Sequence, residues 1–186
     1  FCYMYLQTGS RTLGFGIVMY CLIYLCFLGV KSNLLLKILA LVGLILPVIF
    51  INNLPQIISF VPIVDRLLSY RGTYAVMYMS GLQDWYIFLG GVSSSGKNTD
   101  MGLVLIQSSL GFLFLVYLMI QTYLALSKSI KLRLPNIYAF ILSFWVCGLS
   151  ESPIIRPESI IGLVFWVLVI RSNEFQSAKK HINLAD

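Results

Sequence analysis

Residues 34–51 read LLLKILALVGLILPVIFI, and this stretch decides the class of the protein. Its only ionisable side chain is Lys37, which lies close enough to the start of the stretch for its ammonium group to reach a membrane interface. A helix needs about 20 apolar residues to cross a hydrocarbon core of about 30 Å. The stretch therefore predicts a membrane-spanning helix.

The whole chain shares this bias. Of its 186 residues, 59% are hydrophobic and only 11% are charged, and the mean hydropathy is +0.88. An ordinary soluble domain is about 25% charged, so the soluble classes are excluded. The net charge of +6 comes from residues that punctuate apolar runs and do not form a basic patch. No nucleic-acid partner is therefore predicted.

Further apolar runs flank the first one. We predict five spans, at 13–30, 34–51, 101–126, 136–149 and 159–171. The chain opens inside an apolar run at Phe1, with no basic segment before it, so we expect the C-terminal part of a longer protein. The predicted fold is an all-α, polytopic transmembrane bundle in a single membrane domain.

The segment 52–100 is the main interruption, and we predict it to be a large extracytoplasmic loop. It contains Asn52-Asn53, two prolines and a turn-rich run at 90–98, but also an apolar and aromatic stretch at 74–88. Such a mixture predicts short helices that lie in the membrane interface. Its Tyr and Trp side chains are typical of that interface, although stacking on sugar faces is an alternative.

Alternation through the spans assigns a side to each charge. If Lys31 is cytoplasmic, the loop 52–100 is external, and 127–135 and the C-terminal tail are cytoplasmic. Eight basic residues are then internal and five are external, as the positive-inside rule requires. The internal residues are Lys31, Lys37, Lys128, Lys131, Arg133, Arg171, Lys179 and Lys180, and the external ones are Arg11, Arg66, Arg71, Lys97 and Arg156.

The external set consists mainly of arginine. Four of its five members are arginine, whereas lysine supplies six of the eight internal residues. The planar guanidinium group binds phosphate and carboxylate in bidentate fashion, which favours an anionic external ligand. The alternative is that these arginines pair with nearby acidic residues to hold the loops together. Both interpretations remain open from the residue types alone.

Four motifs follow one another along the chain. Thr8–Thr12 contains Ser10-Arg11 and opens an apolar helix, and Ser69–Tyr74 precedes a mixed helix and Gly90-Gly91. The other two are Asn98–Gly102, which leads into Ser109–Leu113, and Gly148–Ser152. In order, spacing and predicted side, this set resembles the O-antigen ligase and polysaccharide polymerase superfamily of integral-membrane enzymes, often called Wzy-type. The resemblance covers residues 9–170.

The resemblance implies a metal-independent glycosyl transfer at the outer face of a bacterial cytoplasmic membrane, with no cofactor. The donor would be an oligosaccharide on a polyprenyl diphosphate. For a polymerase the acceptor is another lipid-linked repeat unit, and a chain-length regulator is a possible protein partner. Arg11, Arg71 and Arg66 are then the candidates for diphosphate binding. Asp100 is the candidate base, followed by Asp84 and Glu151.

Structural alternatives stand beside these roles. Arg11 is equally suited to anchor a helix end in the headgroup region, and Arg66 and Arg71 to pair with Asp65 or Asp84. Asp100 is also suited to cap the helix that starts near residue 101.

Two other activities compete with polymerisation. Ligases of the superfamily carry a histidine near the end of the large loop, where this chain has Asn98-Thr99-Asp100, and this difference favours a polymerase. A transporter or flippase of lipid-linked sugars would place ionisable residues near the middle of its spans. The spans predicted here have almost no internal charge. A structural membrane subunit is the remaining alternative.

Overall fold

The computed structural model describes residues 11–67, 70–82, 84–91, 101–149 and 160–172. Regular structure in these parts is helical, without a strand, which confirms the predicted all-α class. The helices are α1 (Arg11–Gly29), α2 (Asn33–Asn52), α3 (Leu54–Phe60), α4 (Pro62–Leu67), α5 (Arg71–Ser80), α6 (Asp84–Leu89), α7 (Gly102–Leu110), α8 (Phe112–Lys131), α9 (Pro135–Cys147) and α10 (Ile160–Ile170).

Two of these helices, α2 and α8, are long and apolar enough to cross a membrane. Three others are apolar but shorter, over Gly14–Gly29, Pro135–Cys147 and Ile161–Ile170. The two long helices pack against each other, and both contact α9.

Helix α9 lies at the centre of the bundle and packs against α1, α2, α8 and α10. The hydroxyl of Tyr138 donates to the carbonyl of Leu36 at 3.0 Å, and the indole N–H of Trp145 donates to the carbonyl of Leu44 at 3.2 Å. The bond made by the later residue of α9 reaches the later residue of α2, so α9 runs parallel to α2. Long-range bonds of this kind fix the register of apolar helices that otherwise slide easily.

The connections α1–α2 and α8–α9 are short and lie together. Helix α8 ends in a Schellman motif, in which the N–H of Arg133 donates to Ile130 and the N–H of Leu134 donates to Ser129. Arg133 takes the left-handed position of that motif, with φ of 54°. Its guanidinium group donates to the carbonyl of Lys31 at 2.8 Å. We call this region, residues 30–32 and 132–134, the basic end of the bundle.

Helix α2 buries only a narrow stripe. Its buried residues are Leu36, Ala40, Leu44, Pro47 and Ile51, at spacings of three and four. The remaining surface is also apolar, and eight of its large hydrophobic side chains are exposed: Leu34, Leu35, Ile38, Leu39, Leu41, Val42, Leu46 and Ile49. A helix on the surface of a soluble protein would present polar residues there.

The structure differs from the predicted span at 101–126. This stretch forms two helices, α7 and α8, which are separated by Gly111 at φ of 88° and ψ of 160°. The physical reason is a backbone crossing with Gly90. A Cβ atom on Gly90 would lie 2.5 Å from the backbone nitrogen of Gly111, and one on Gly111 would lie 2.5 Å from the carbonyl carbon of Leu89. The end of α6 therefore occupies the break in the helix.

The described parts of the loop 52–100 form α3, α4, α5 and α6. Helix α3 follows α2 after one residue and packs against α4 and α5, whereas α6 packs against α7 and α8. The N–H of Leu103 donates to Gly148, which joins the start of α7 to the end of α9. We call this region, the C-terminal end of α2 with α3–α7, the loop end of the bundle.

Candidate functional site at the loop end

The six residues predicted to act on the substrate fall into three groups. The structure describes the side chains of Arg66, in α4, and Arg71, the first residue of α5. Arg11 and Asp84 are the first residues of α1 and α6, but their side chains lie outside the described part. Asp100 and Glu151 lie outside the described residues.

Arg66 and Arg71 lie on adjacent short helices. Arg66 is exposed and Arg71 is half-buried. Between the two arginines, the N–H of Tyr70 donates to the carbonyl of Asp65 at 2.7 Å, and Tyr70 has a φ of 63°. A left-handed conformation at a tyrosine is uncommon and costs about 1–3 kcal/mol, so the surrounding contacts must impose it. Arg71 follows Tyr70 as the first residue of α5, and α5 packs against α4.

Asp65 is one of those contacts. Its carboxylate is 5% exposed and accepts the backbone N–H of Thr73 at 2.9 Å and the hydroxyl of Thr73 at 2.5 Å. Tyr70, the capping residue by position, makes no side-chain cap bond, so Asp65 caps α5 from the preceding helix. The structure therefore gives this carboxylate a local structural role at Thr73.

Sequence reasoning overlooked this role because the cap comes from a residue outside the turn that it stabilises. The usual signal is a Ser, Thr, Asp or Asn directly before the helix. Tyr70 occupies that place, and Asp65 lies five residues earlier.

The tyrosine before α5 and the two tyrosines within it differ in exposure. Tyr70 and Tyr74 are 58% and 62% exposed, whereas Tyr78 is buried among apolar residues. Only the first two are therefore accessible for stacking on a ligand or for contact with a membrane interface. Met77 is also exposed on this helix, and Phe60 and Ile63 are exposed on the preceding ones.

A pair of amides at the end of α2 was also missed. Gln107 lies in the middle of an apolar run, and its side chain donates to that of Asn52 at 3.1 Å. Gln107 is 1% exposed, whereas Asn52 is exposed. Gln107 and the two serines that follow it interrupt the apolar run, and this interruption was the available signal, because a buried amide needs hydrogen-bond partners.

The loop end thus combines two guanidinium groups, two accessible tyrosines and a neutral amide pair. The guanidinium groups can bind an anion, and the amides and tyrosines can bind a polar, uncharged group. Among the described residues, no group of three or more His, Cys, Asp or Glu side chains is arranged to hold a metal ion.

Comparisons with known proteins return no relative. No protein-family model, curated protein or solved structure matches the chain.

Proposed function

We propose that the chain is the membrane domain of a multi-pass bacterial enzyme that polymerises lipid-linked oligosaccharide repeat units into surface polysaccharide. The reaction takes place at the outer face of the cytoplasmic membrane, and the C-terminus is cytoplasmic. The resemblance of the four motifs to the Wzy-type superfamily is the starting point. The fold and the surface of the chain supply independent support for the membrane and for the position of the chemistry.

The exposed apolar surface supports a multi-pass arrangement. Beyond α2, the exposed side chains of the other long or apolar helices include Leu22 and Leu25 on α1, Leu113 and Ile120 on α8, and Val164 on α10. Exposed apolar surface of this extent marks a membrane or protein contact. Three shorter helices beside two long ones fit a bundle in which the bilayer thins locally around the shorter segments.

The basic end supports the proposed orientation. Lys31 and Arg133 lie together there, and Lys128 and Lys131 occupy the last turn of α8. Lys37 lies near the start of α2, close to the connection between α1 and α2. Clustered Lys and Arg beside short connections are typical of the cytoplasmic side. The loop end, at the opposite ends of α2 and α9, is then external.

The single observation that carries the enzymatic proposal is the placement of Arg66 and Arg71 on adjoining helices at the loop end. Arg66 is exposed, and the neighbouring carboxylate of Asp65 is engaged by Thr73. A guanidinium group that faces the outer surface of a membrane is suited to a diphosphate headgroup. The exposed apolar side chains of α3 and α4 are suited to the adjoining lipid.

The chemistry follows from the charge on the leaving group. The acceptor hydroxyl attacks the anomeric carbon of the donor glycan, and the bond from that carbon to the diphosphate oxygen breaks. Negative charge develops on the polyprenyl diphosphate, and fixed guanidinium groups stabilise it. The hydroxyl proton passes to a base, for which Asp100 is the first candidate and Asp84 and Glu151 are the next.

The test is deletion of the gene in its native host and complementation with wild type, Arg71→Ala or Arg66→Ala. The length of the surface polysaccharide is measured on gels, and the lipid-linked single repeats are quantified. We expect wild type to restore long chains and the arginine variants to lower the polymerisation rate about 10- to 100-fold, since a charge-assisted hydrogen bond contributes about 1.5–3 kcal/mol.

Lys37→Ala is the matched control, because it removes one exposed positive charge near the start of α2, at the opposite end of that helix from the loop end. Arg71→Lys separates charge from shape, since lysine retains the charge but lacks the bidentate fork. Unchanged polysaccharide length in the deletion strain would contradict the polymerase proposal. An equal loss in Lys37→Ala would show that the effect is not specific to the loop end.

Transport of the lipid-linked unit is the second candidate function, and the break at Gly111 favours it. Transporters build their sites from interrupted helices, and here the break adjoins a buried amide. A flippase deletion would leave the single repeats on the cytoplasmic side of the membrane, whereas a polymerase deletion would leave them outside. A ligase deletion would instead leave long chains attached to the polyprenyl carrier.

A further inference from the structure

The amide pair at the loop end has a fixed orientation. Gln107 donates from Nε2 to Oδ1 of Asn52 at 3.1 Å, and Asn52 donates from Nδ2 to the carbonyl of Val48 at 2.8 Å. The backbone carbonyl of Gln107 also accepts the N–H of Gly111, at the break between α7 and α8. The pair thus joins the end of α2 to the break.

One hydrogen-bond acceptor of this pair has no donor among the described residues. The Oε1 atom of Gln107 is buried and has no hydrogen-bond partner within the described part of the chain. Each amide also has a second N–H group beyond the one used. A buried carbonyl oxygen without a donor costs free energy and is rare in folded proteins, so its presence needs an explanation.

The neighbouring Asn53 shows that this arrangement is not general at the end of α2. Asn53 is also exposed, and its Nδ2 atom also donates to the carbonyl four residues earlier, Ile49, at 2.8 Å. Of these two asparagines, Asn52 alone has a hydrogen bond to the Gln107 side chain in the described part of the chain, and that side chain carries the unpartnered buried oxygen.

The chemistry of the pair selects its ligand. The pair is neutral, so it does not favour an anion such as the diphosphate. It offers an acceptor on Gln107 and a donor on Asn52, and a hydroxyl group satisfies both because it donates and accepts at one atom. The location agrees, because α3 begins directly after Asn53 and packs against α5, which begins at Arg71.

We propose that Asn52 and Gln107 bind a sugar hydroxyl of the lipid-linked repeat unit. The hydroxyl donates to Oε1 of Gln107 and accepts an N–H of Asn52, and it enters from the exposed Asn52 side. This inference rests on the proposed function: the arginines hold the diphosphate, and the amide pair recognises the glycan. A retained water molecule is the other source of a hydroxyl group, and the experiment distinguishes the two.

The experiment uses the purified protein and lipid-linked single repeats extracted from the deletion strain. The kcat and KM of polymerisation are measured for Gln107→Met and Asn52→Leu, which replace each amide by an apolar side chain of similar size. Asn53→Leu is the matched control. The thermal unfolding temperature of each variant is recorded with and without the repeats.

We expect Gln107→Met and Asn52→Leu to raise KM about tenfold with little change in kcat, and Asn53→Leu to resemble wild type. Gln107→Met should unfold at or above the wild-type temperature without repeats, because it removes the unpartnered buried oxygen. The stabilisation that repeats confer on wild type should shrink in both pair variants. A purely structural amide would instead lower the unfolding temperature and leave KM unchanged.

Two results would overturn the inference. One is a wild-type KM in Gln107→Met, which assigns the buried oxygen to water. The other is an equal rise of KM in Asn53→Leu. If wild type is stabilised by repeats but forms no polymer, the polymerase proposal fails separately, and the thermal comparison of the three variants still decides whether the amide pair binds the glycan.

Discussion

At the basic end, each connection between long helices takes three residues, whereas at the loop end the chain passes through α3, α4, α5 and α6 before it returns. The short connections are closed by local motifs: Ser32 caps α2, and a Schellman turn ends α8. A bond from Arg133 to Lys31 joins these two connections, whereas the loop end is held by the crossing of Gly90 with Gly111 and by the bond from Gln107 to Asn52. Compact local closure leaves little room for a ligand, and the polar side chains suited to binding lie at the other end.

The comparison predicts that the largest losses of stability come from the loop-end crossing. Gly111→Ala should lower the free energy of unfolding by about 2–5 kcal/mol, because it combines a glycine-only backbone conformation with a backbone overlap. The free energy is measured by denaturant titration in mixed micelles. Gly91→Ala is the control: its φ is 99° but its Cβ would meet nothing within 4 Å, so only the conformational cost of about 1–2 kcal/mol remains. Wild-type stability in Gly111→Ala would contradict the crossing.

The next effect concerns the cap of α5. Asp65→Ala should destabilise the protein by about 2 kcal/mol, because the N–H and the hydroxyl of Thr73 lose their acceptor. Amide hydrogen exchange should also accelerate in the first turn of α5. Arg66→Ala should change stability by less than about 0.5 kcal/mol, as expected for an exposed side chain. Equal losses in both variants would instead indicate that Asp65 acts by pairing with Arg66.

A smaller effect is expected at the centre of the bundle. Tyr138→Phe removes the bond to Leu36 and should cost about 0.5–1.5 kcal/mol, the range for hydrogen bonds between membrane helices. The same titration in mixed micelles measures it. Tyr117→Phe removes a hydroxyl from an exposed position on α8 and should leave stability unchanged. A larger loss of stability in Tyr138→Phe than in Asp65→Ala would contradict the expectation that the loop-end contact contributes more than this bond at the centre of the bundle.

The smallest effect is expected at the basic end. Arg133→Ala loses the bond to Lys31 and keeps the left-handed backbone, so stability should fall by about 0.5–1 kcal/mol. Arg133→Gly loses the same bond but relieves the left-handed conformation, and its net change should be close to zero. If glycine destabilises more than alanine, the turn does not have the conformation described.

Much of the helical content followed from the sequence. The runs at 13–30, 34–51 and 136–149 correspond closely to α1, α2 and α9, because the length of an apolar run is a local property. The break at Gly111 was missed for the same reason: the run continues through it, and the crossing glycine lies about 20 residues away in sequence. Of the candidate site residues, Arg66 and Arg71 were predicted from residue type and from the family resemblance, and they stay predictions, whereas Asn52 and Gln107 became candidates only because the structure pairs them.

The sequence by itself determined that this protein is helical, apolar and basic. Composition and periodicity express these properties at every position, so no distant contact is needed to infer them. The sequence predicted five spans, and the structure gives two helices that are long and apolar enough to cross a membrane. Only the tertiary structure decided that Asp65 caps α5, that Gly90 crosses Gly111 and that Gln107 holds Asn52. Each of these depends on the distance between two chain segments, and that distance is set by how the helices pack.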